Sequence, residues 1–252
     1  MIFSWSCPKQ LPIIIAHRGS SDSTPENTLA AFKKAIRDKA DVVEFDIHLT
    51  KDKHIVVIHD NRLERTTSGR GNINEFSLSQ LKKLSAGSWF KEKFASEKIP
   101  TLEESLSLMN GKVGINIEIK SDGNNFSIVD RCLEIVDKFS IKDGVLISSF
   151  NEKFLKRARI LDSKIALGLL YNPLSHLLRS PIRLAQDLGV QYIILNGVNL
   201  RKRFVELSHN NGFFIGEYTI NTNHRLERTL RFGVDAVITN RPAFVKKMIR
   251  RK

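Results

Sequence analysis

Short apolar runs rich in β-branched residues recur along the chain, at Ile13–Ala16, Val42–Leu49, Ile55–Ile58, Val113–Ile119, Val145–Ser148, Ile165–Leu170, Tyr192–Leu195, Phe213–Ile220 and Ala236–Thr239. Most are separated by segments of helical period, such as Leu29, Phe32, Ile36 and Phe154, Leu155, Ala158, Leu161, which is the pattern of βα units in a parallel sheet. One pair breaks it. Val42–Leu49 and Ile55–Ile58 are joined by about five residues, too few for the dozen or so of a parallel crossover, so they form an antiparallel hairpin. Setting aside the return strand leaves eight parallel strands, the number that closes a (β/α)8 barrel. A chain of 252 residues, 41% of them hydrophobic, is long enough for that core. The predicted fold is α/β, a TIM (β/α)8 barrel with a small insertion subdomain after the second barrel strand. Residues 11–250 form the single barrel domain, and 50–101 are the hairpin plus insertion.

A tight turn centred between Asp52 and Lys53 places His59 opposite Asp46, and cross-strand partners share a face. On that register Glu44, Asp46 and His59 project from one face, while Phe45, Ile47 and Leu49 share the other with Val56 and Ile58. The insertion contains Thr66-Thr67-Ser68-Gly69-Arg70-Gly71 and a short helix after Ser77, whose Ser77-x-x-Gln80 reads as a capping box. A second box, Thr101-x-x-Glu104, opens the helix leading to the next barrel strand.

Barrels of this kind carry their sites at the C-terminal ends of the strands. There His17 and Arg18 end the first strand, Glu44 and Asp46 lie along the second, Glu118 and Lys120 end the third, and Ser148-Ser149-Phe150 ends the fourth. Three carboxylates so close would repel one another unless a cation held them. Glu44, Asp46 and Glu118 form an all-oxygen set suited to a hard divalent metal, Mg²⁺ or Ca²⁺. The alternative is a structural network in which the acids pair with Arg18 and Lys120. His17 and His59 have the side-chain type for acid and base work near neutrality, and Arg18 and Lys120 suit non-bridging phosphate oxygens. Together these are the groups that metal-assisted cleavage of a phosphodiester requires. Pro25-Glu26-Asn27-Thr28 reads as a helix start with Asn27 as cap, and Glu26 is placed to hold the His17 loop.

Lys plus Arg exceed Asp plus Glu to give a net charge of +13, a field that attracts phosphorylated metabolites, polyanions or acidic lipid headgroups. Two cysteines, Cys7 and Cys132, make no disulfide framework, and Cys132 falls on the apolar stripe of a helix. The first residues, Met1 to Lys9, lack the features of a secretory signal, and no apolar run is long enough to span a membrane. A cytoplasmic protein is the default expectation, with at most peripheral membrane contact by the cations Lys246, Lys247, Arg250, Arg251 and Lys252.

From Ile13 to about Pro242 the chain resembles the glycerophosphodiester phosphodiesterase family. The resemblance rests on His17-Arg18-Gly19 with Pro25-Glu26-Asn27-Thr28, Glu44-Phe45-Asp46 followed by Leu49-Thr50-Lys51-Asp52, His59-Asp60, and Asn116-Ile117-Glu118-Ile119-Lys120. It implies a TIM-type barrel with an inserted subdomain and metal-dependent hydrolysis of small-molecule glycerophosphodiesters to sn-glycerol 3-phosphate and an alcohol, within glycerophospholipid metabolism. It also implies His17 and His59 as the acid/base pair, Glu44, Asp46 and Glu118 as metal ligands, and Arg18 and Lys120 as phosphate contacts. Phe150 and Tyr218 are expected to wall the substrate pocket. Two departures stand out: Tyr218-Thr219-Ile220-Asn221 where a Trp-led segment is usual, and Asn240 in Ile238-Thr239-Asn240-Arg241-Pro242 where Asp is common. Both bear on the expected alcohol or glycerol pocket more than on the chemistry. Two rival readings remain. One is a lysophospholipase D, with a wide apolar mouth built from Trp89, Phe90 and Phe94. The other is a non-catalytic polyanion binder, although nucleic acid is not the expected partner.

Overall fold

Each of the nine apolar runs forms a strand in the computed structural model of the protein, which describes residues 3–6, 12–120 and 125–250. Cys7 lies outside the described residues. The strands are β1 (Ile13–His17), β2 (Val42–Leu49), β3 (Ile55–Val57), β4 (Gly114–Ile119), β5 (Val145–Ser149), β6 (Ala166–Tyr171), β7 (Tyr192–Asn196), β8 (Phe214–Tyr218) and β9 (Ala236–Thr239). All but β3 pair in parallel, and β1 pairs with both β2 and β9, so eight strands close a ring. Only β3 lies outside it, antiparallel on β2. The helices between strands are α1 (Leu29–Arg37), α2 (Leu78–Leu81), α3 (Leu102–Met109), α4 (Ser127–Lys138), α5 (Glu152–Leu161), α6 (Pro181–Leu188), α7 (Lys202–Asn210), α8 (Asn223–Phe232) and α9 (Pro242–Ile249). No helix among the described residues is long and apolar enough to cross a membrane.

Strand alternation sorts side chains into two cores. Residues such as Ala16, Val43, Phe45, Ile117 and Ile147 pack outward against the helices, and Cys132 of α4 is fully buried among them, its thiol pushed up to about 12 by burial. The alternate positions, Ile13, Ile15, Val42, Leu146, Leu170, Tyr192, Ile194, Ala236 and Ile238, fill the interior. This inner cluster also takes Trp5, which sequence pattern had not marked as structural. Trp5 is 2% exposed, its indole N–H donates to the carbonyls of Ile115 (3.0 Å) and Gly144 (3.1 Å), and Tyr192 donates to its carbonyl at 2.9 Å. Its ring meets Phe3 and Tyr192 edge-on. Phe3 and Trp5 therefore plug the N-terminal end of the barrel, at the end opposite His17, Asp46 and Glu118.

The hairpin register differs from the expected one. Ile47 pairs with Val57, His48 with Val56 and Leu49 with Ile55, and the amide of Ile58, not His59, meets the Asp46 carbonyl at 3.0 Å. Thr50 donates its amide to the His54 carbonyl, leaving Lys51-Asp52-Lys53 as the loop, and Lys53 closes it at φ 65°. A three-residue loop ending in a left-handed residue shifts the pairing by one relative to a two-residue turn. Val56 and Ile58 consequently face away from Phe45 and Ile47. They join Leu63, Ile73, Leu81, Ala86 and Ile99 in a separate core for the insertion. Both capping boxes form, Ser77 with Gln80 on α2 and Thr101 with Glu104 on α3.

Replacing Trp5 with alanine removes the plug's ring and both indole hydrogen bonds. The expected cost is about 3–5 kcal/mol, read from the shift in urea unfolding; a shift below about 1 kcal/mol would mean that the plug is peripheral to the barrel.

Candidate active site

In-register pairing brings the chemistry-bearing side chains to one level of the barrel. His17 on β1 pairs with Glu44 on β2, and Asp46 on β2 pairs with Glu118 on β4. Neighbouring strands in register share a face, and residues two apart on a strand do as well. Glu44, Asp46 and Glu118 accordingly offer carboxylate oxygens that all lie within 4.8 Å of one another. Burial, with Asp46 and Glu118 beside it, pushes Glu44 well above the ordinary range. Burial and Asp46 hold Glu118 up at about 7 despite Lys120. For Asp46 the burial penalty is outweighed by Arg18, Lys120 and His59, which hold it down at about 2. Glu44 Oε1 and Asp46 Oδ1 are buried with no hydrogen-bond partner. Orphaned acceptors in an all-oxygen set fit a hard divalent cation.

The cations around this cluster are aimed by backbone geometry. Arg18 stands at φ 55° and Gly19 at φ 82°, a left-handed pair that turns the chain sharply off β1. At Gly19 a Cβ would come within 2.6–2.8 Å of Ala31, so the close approach of α1 requires glycine. The turn delivers the Arg18 amide to Glu44 Oε2 at 2.8 Å and its guanidinium to Glu26 at 2.8 Å, with Nε 3.3 Å from Asp46. Lys120 donates to Glu118 at 2.7 Å and lies 3.1 Å from His59 Nε2 and 3.5 Å from Asp46. Arg18 and Lys120 thus pair with the acids.

Asn27 is not the helix cap. Thr28 caps α1, its side chain accepting from the Ala31 amide. Asn27, at φ 57°, instead exchanges two hydrogen bonds with Asp46: its side-chain amide donates to Oδ2 at 2.8 Å, and its carbonyl oxygen accepts the Asp46 amide at 3.3 Å.

His17 and His59 are each engaged at Nδ1, and Nε2 of His59 also meets Lys120 at 3.1 Å. His17 Nδ1 meets Asn240 Oδ1 at 2.7 Å, and burial followed by Arg18 lowers the ring to about 4. His59 Nδ1 meets Asp60 Oδ1 at 2.5 Å, and its pKa is also lowered, by burial first. Asn240 therefore meets His17 directly and does not line the cavity wall formed by Phe150 and Tyr218. His48, on the same face of β2 as Asp46, contacts the His59 carbonyl through Nε2 at 2.9 Å and so supports the bend that turns His59 into the site.

Arg65, from the insertion, joins the two halves of this arrangement and was not evident in the sequence. It donates to Asp60 Oδ2 (2.5 Å) and Oδ1 (3.2 Å), and to Glu26 Oε2 (3.0 Å) and Oε1 (2.8 Å). A continuous chain runs from His59 through Asp60, Arg65 and Glu26 to Arg18. Its only sequence signal was an arginine shortly after His59-Asp60, a type too common on surfaces to single out.

A cavity of about 200 Å³ lies over the cluster, lined by His17, Arg18, Glu44, His59, Glu118 and Lys120 on one side and by Phe150, Leu170, Ile194, Tyr218 and Ile238 on the other. Phe150 and Tyr218 are thus in the wall of this cavity. Trp89, Phe90 and Phe94 are not: they pack on one another in the insertion, with ring centroids 5.6 and 5.9 Å apart, and none lines the cavity.

Comparison with known proteins agrees with this arrangement. A family model described as the glycerophosphoryl diester phosphodiesterase family matches residues 17–244. The chain is 37% identical over 241 residues to a glycerophosphodiester phosphodiesterase of Caldanaerobacter subterraneus subsp. tengcongensis, covering 95% of this chain and 98% of that one. It is 33% identical over 232 residues to a glycerophosphodiester phosphodiesterase of Bacillus altitudinis, covering 91% and 94%. Among solved structures, an Oleispira antarctica phosphodiesterase in complex with the product sn-glycerol-3-phosphate superposes with a TM-score of 0.89 at 31% identity, covering 95% of this chain and 97% of that one.

The shifted carboxylates would make the binding of a divalent cation pH-dependent. Glu118, raised to about 7 from 4.5, binds more protons folded than unfolded, so its contribution to stability is intact below about pH 4.5 and is lost as pH rises through 7. His17, lowered to about 4, acts in the opposite sense between 4 and 6.5, so the informative quantity is the increment due to metal. Added Mg²⁺ or Ca²⁺ should raise Tm more at pH 8 than at pH 5, because at low pH the ion competes with protons. Equal increments in calorimetry at the two pH values would count against binding by these carboxylates.

Proposed function

The chain belongs to the glycerophosphoryl diester phosphodiesterase family, and from that premise we propose that it hydrolyses glycerophosphodiesters to sn-glycerol 3-phosphate and an alcohol, with His17 and His59 as the acid/base pair. The observation that carries this reading is that both rings line one cavity together with Glu44, Glu118, Arg18 and Lys120. The product bound to the Oleispira relative supports the same substrate class.

Each side chain has a role that its geometry supports. Arg18, braced by Glu26, and Lys120 neutralise the non-bridging phosphate oxygens, the first as a planar fork and the second as a point charge. One histidine takes the proton of the nucleophile through Nε2 while the other returns a proton to the departing alkoxide. Asn240 and Asp60 hold the two Nδ1 atoms and thereby keep the rings in the tautomer and orientation this exchange needs. Phe150 and Tyr218 shelter the reacting centre and bound the space open to the substituents on the phosphate. Glu44, Asp46 and Glu118 would hold a hard divalent cation, Mg²⁺ or Ca²⁺, which supplies charge neutralisation at the phosphate when bound. The activity belongs with glycerophospholipid breakdown, and we place the protein in the cytoplasm.

Release of sn-glycerol 3-phosphate from glycerophosphocholine is the direct test. His17→Ala or His59→Ala should reduce it about 10²–10⁴-fold, and chelation with EDTA should abolish it; undiminished activity in any of the three overturns the assignment. Arg65→Ala should lower kcat about tenfold or more with a smaller change in KM, because Arg65 touches no substrate and acts by orienting His59 and Arg18. Arg65→Lys should recover little, since one ammonium cannot replace two bidentate contacts. A pure KM effect would instead make Arg65 a binding residue.

A further inference from the structure

The rim beside the cavity carries a feature that diester hydrolysis does not use. Leu174, Leu177 and Leu178, on the loop between β6 and α6, are 82%, 81% and 75% exposed, and Val198, on the loop between β7 and α7, is 77% exposed. Exposed apolar groups gathered on adjacent loops mark an interaction surface, whereas scattered ones do not. Both loops border one cleft of about 320 Å³, lined by Tyr171, Pro173, Leu195, Val198, Phe204 and Tyr218. Tyr218 also lines the catalytic cavity, so the apolar lip adjoins the mouth of the site.

The lip is held out by construction. Beneath the leucines His176 is 2% exposed; its Nδ1 accepts the Asn172 amide at 3.1 Å and its Nε2 donates to the Phe150 carbonyl at 3.0 Å. Tyr171 stacks on that imidazole and donates to the Arg179 carbonyl at 2.7 Å, while Arg179 is ion-paired with Glu152. Leu177 and Leu178 stand at φ 51° and 58°, a conformation that costs leucine free energy. On the second loop, Gly197 approaches the buried Glu217 so closely that a Cβ would sit 1.5 Å from Oε1, and Arg228 donates to its carbonyl at 2.7 Å. Anchored bases beneath apolar tips are not the pattern of a merely frayed loop.

Charge identifies the partner. The helices that follow these loops, α6 and α7, begin with no side-chain cap and no acidic residue in the first turn, and carry exposed Arg183, Arg201 and Arg203 there. None of these arginines has a carboxylate partner among the described residues. Cations at a helix N-terminus oppose the helix dipole, so an external anion relieves both. Apolar tips that insert and flanking cations that meet phosphate are together the requirements for binding at an anionic bilayer surface.

We propose that the β6–α6 and β7–α7 loops dock the protein on an anionic lipid surface, inserting Leu174, Leu177, Leu178 and Val198 with Arg183, Arg201 and Arg203 against the headgroups, so that the catalytic mouth opens at the membrane. The docking does not depend on the proposed activity. The test is sedimentation with vesicles of phosphatidylcholine alone and of phosphatidylcholine mixed with phosphatidylglycerol, alongside hydrolysis of soluble glycerophosphocholine. The wild-type protein should bind the mixed vesicles and not the neutral ones. The triple variant Leu174→Ser/Leu177→Ser/Leu178→Ser should lose at least about tenfold in affinity, and Arg201→Gln/Arg203→Gln should weaken binding and flatten its salt dependence, both with soluble hydrolysis unchanged. No binding to mixed vesicles, equal binding to neutral ones, or undiminished binding by the triple variant overturns the proposal. So does a triple variant that merely falls from dimer to monomer, which would make the lip a contact between copies. Vesicle binding without hydrolysis of glycerophosphocholine would instead refute the activity and leave the docking standing.

Discussion

Three carboxylates held within 4.8 Å of one another in a barrel interior repel, and much of the surrounding structure balances that repulsion. Asp46 stays ionised because Arg18, Lys120 and His59 converge on it and Asn27 donates to it. Arg18 and Asn27 reach it through unusual backbone: both sit in the left-handed region, and Gly19 is the residue that lets α1 come close enough. Strain at these positions is repaid by charge placement. Glu44 and Glu118 are left under-compensated, with raised proton affinity and an orphaned oxygen on Glu44. The cations and donors around the cluster thus compensate Asp46 more fully than Glu44 or Glu118.

Much of this was legible in the amino-acid sequence because it follows from periodicity. Eight parallel strands came from nine apolar runs and one connection too short for a crossover, and the period of two put Glu44 and Asp46 on one face. The hairpin register was not legible, since two- and three-residue turns differ by a single left-handed residue, and Lys53 is not a residue type that announces one. Asn27 was misjudged for a related reason. Asn favours both helix caps and the left-handed region, and a neighbouring Thr28 could take the cap. Arg65 and Trp5 were missed because their roles depend on contacts far along the chain. Trp5 bonds Ile115 and Gly144, and Arg65 bridges Glu26 and Asp60.

The insertion matters to the site in a way that its aromatic residues suggested wrongly. Trp89, Phe90 and Phe94 serve the insertion's own packing. Its contribution to the mouth is instead electrostatic. By ordering Arg65 it ties the His59–Asp60 pair to the Glu26–Arg18 pair, so His59 and Arg18 are placed relative to each other by one guanidinium. A planar fork with five donors can do this, and an ammonium cannot.

The cavity divides along the order of the chain. Its polar side comes from β1, β2, the hairpin and β4, residues that lie within the first half of the sequence; its apolar side comes from β5 to β9, through Phe150, Leu170, Ile194, Tyr218 and Ile238. Groups on the polar side are coupled through shared hydrogen bonds, so a change in one disturbs the rest. The apolar wall is coupled only by packing, and substitutions there alter shape without altering charge. Tyr218 falls on this second side, whereas Asn240 reaches across from the end of β9 to His17 on the first. The hydrogen bond from Asn240 raises the proton affinity of His17, as a carboxylate at 240 would do more strongly, but burial followed by Arg18 prevails and lowers the ring to about 4. The residue at 240, at the seam between the two halves, thus bears on proton affinity on the polar side without lining the apolar wall.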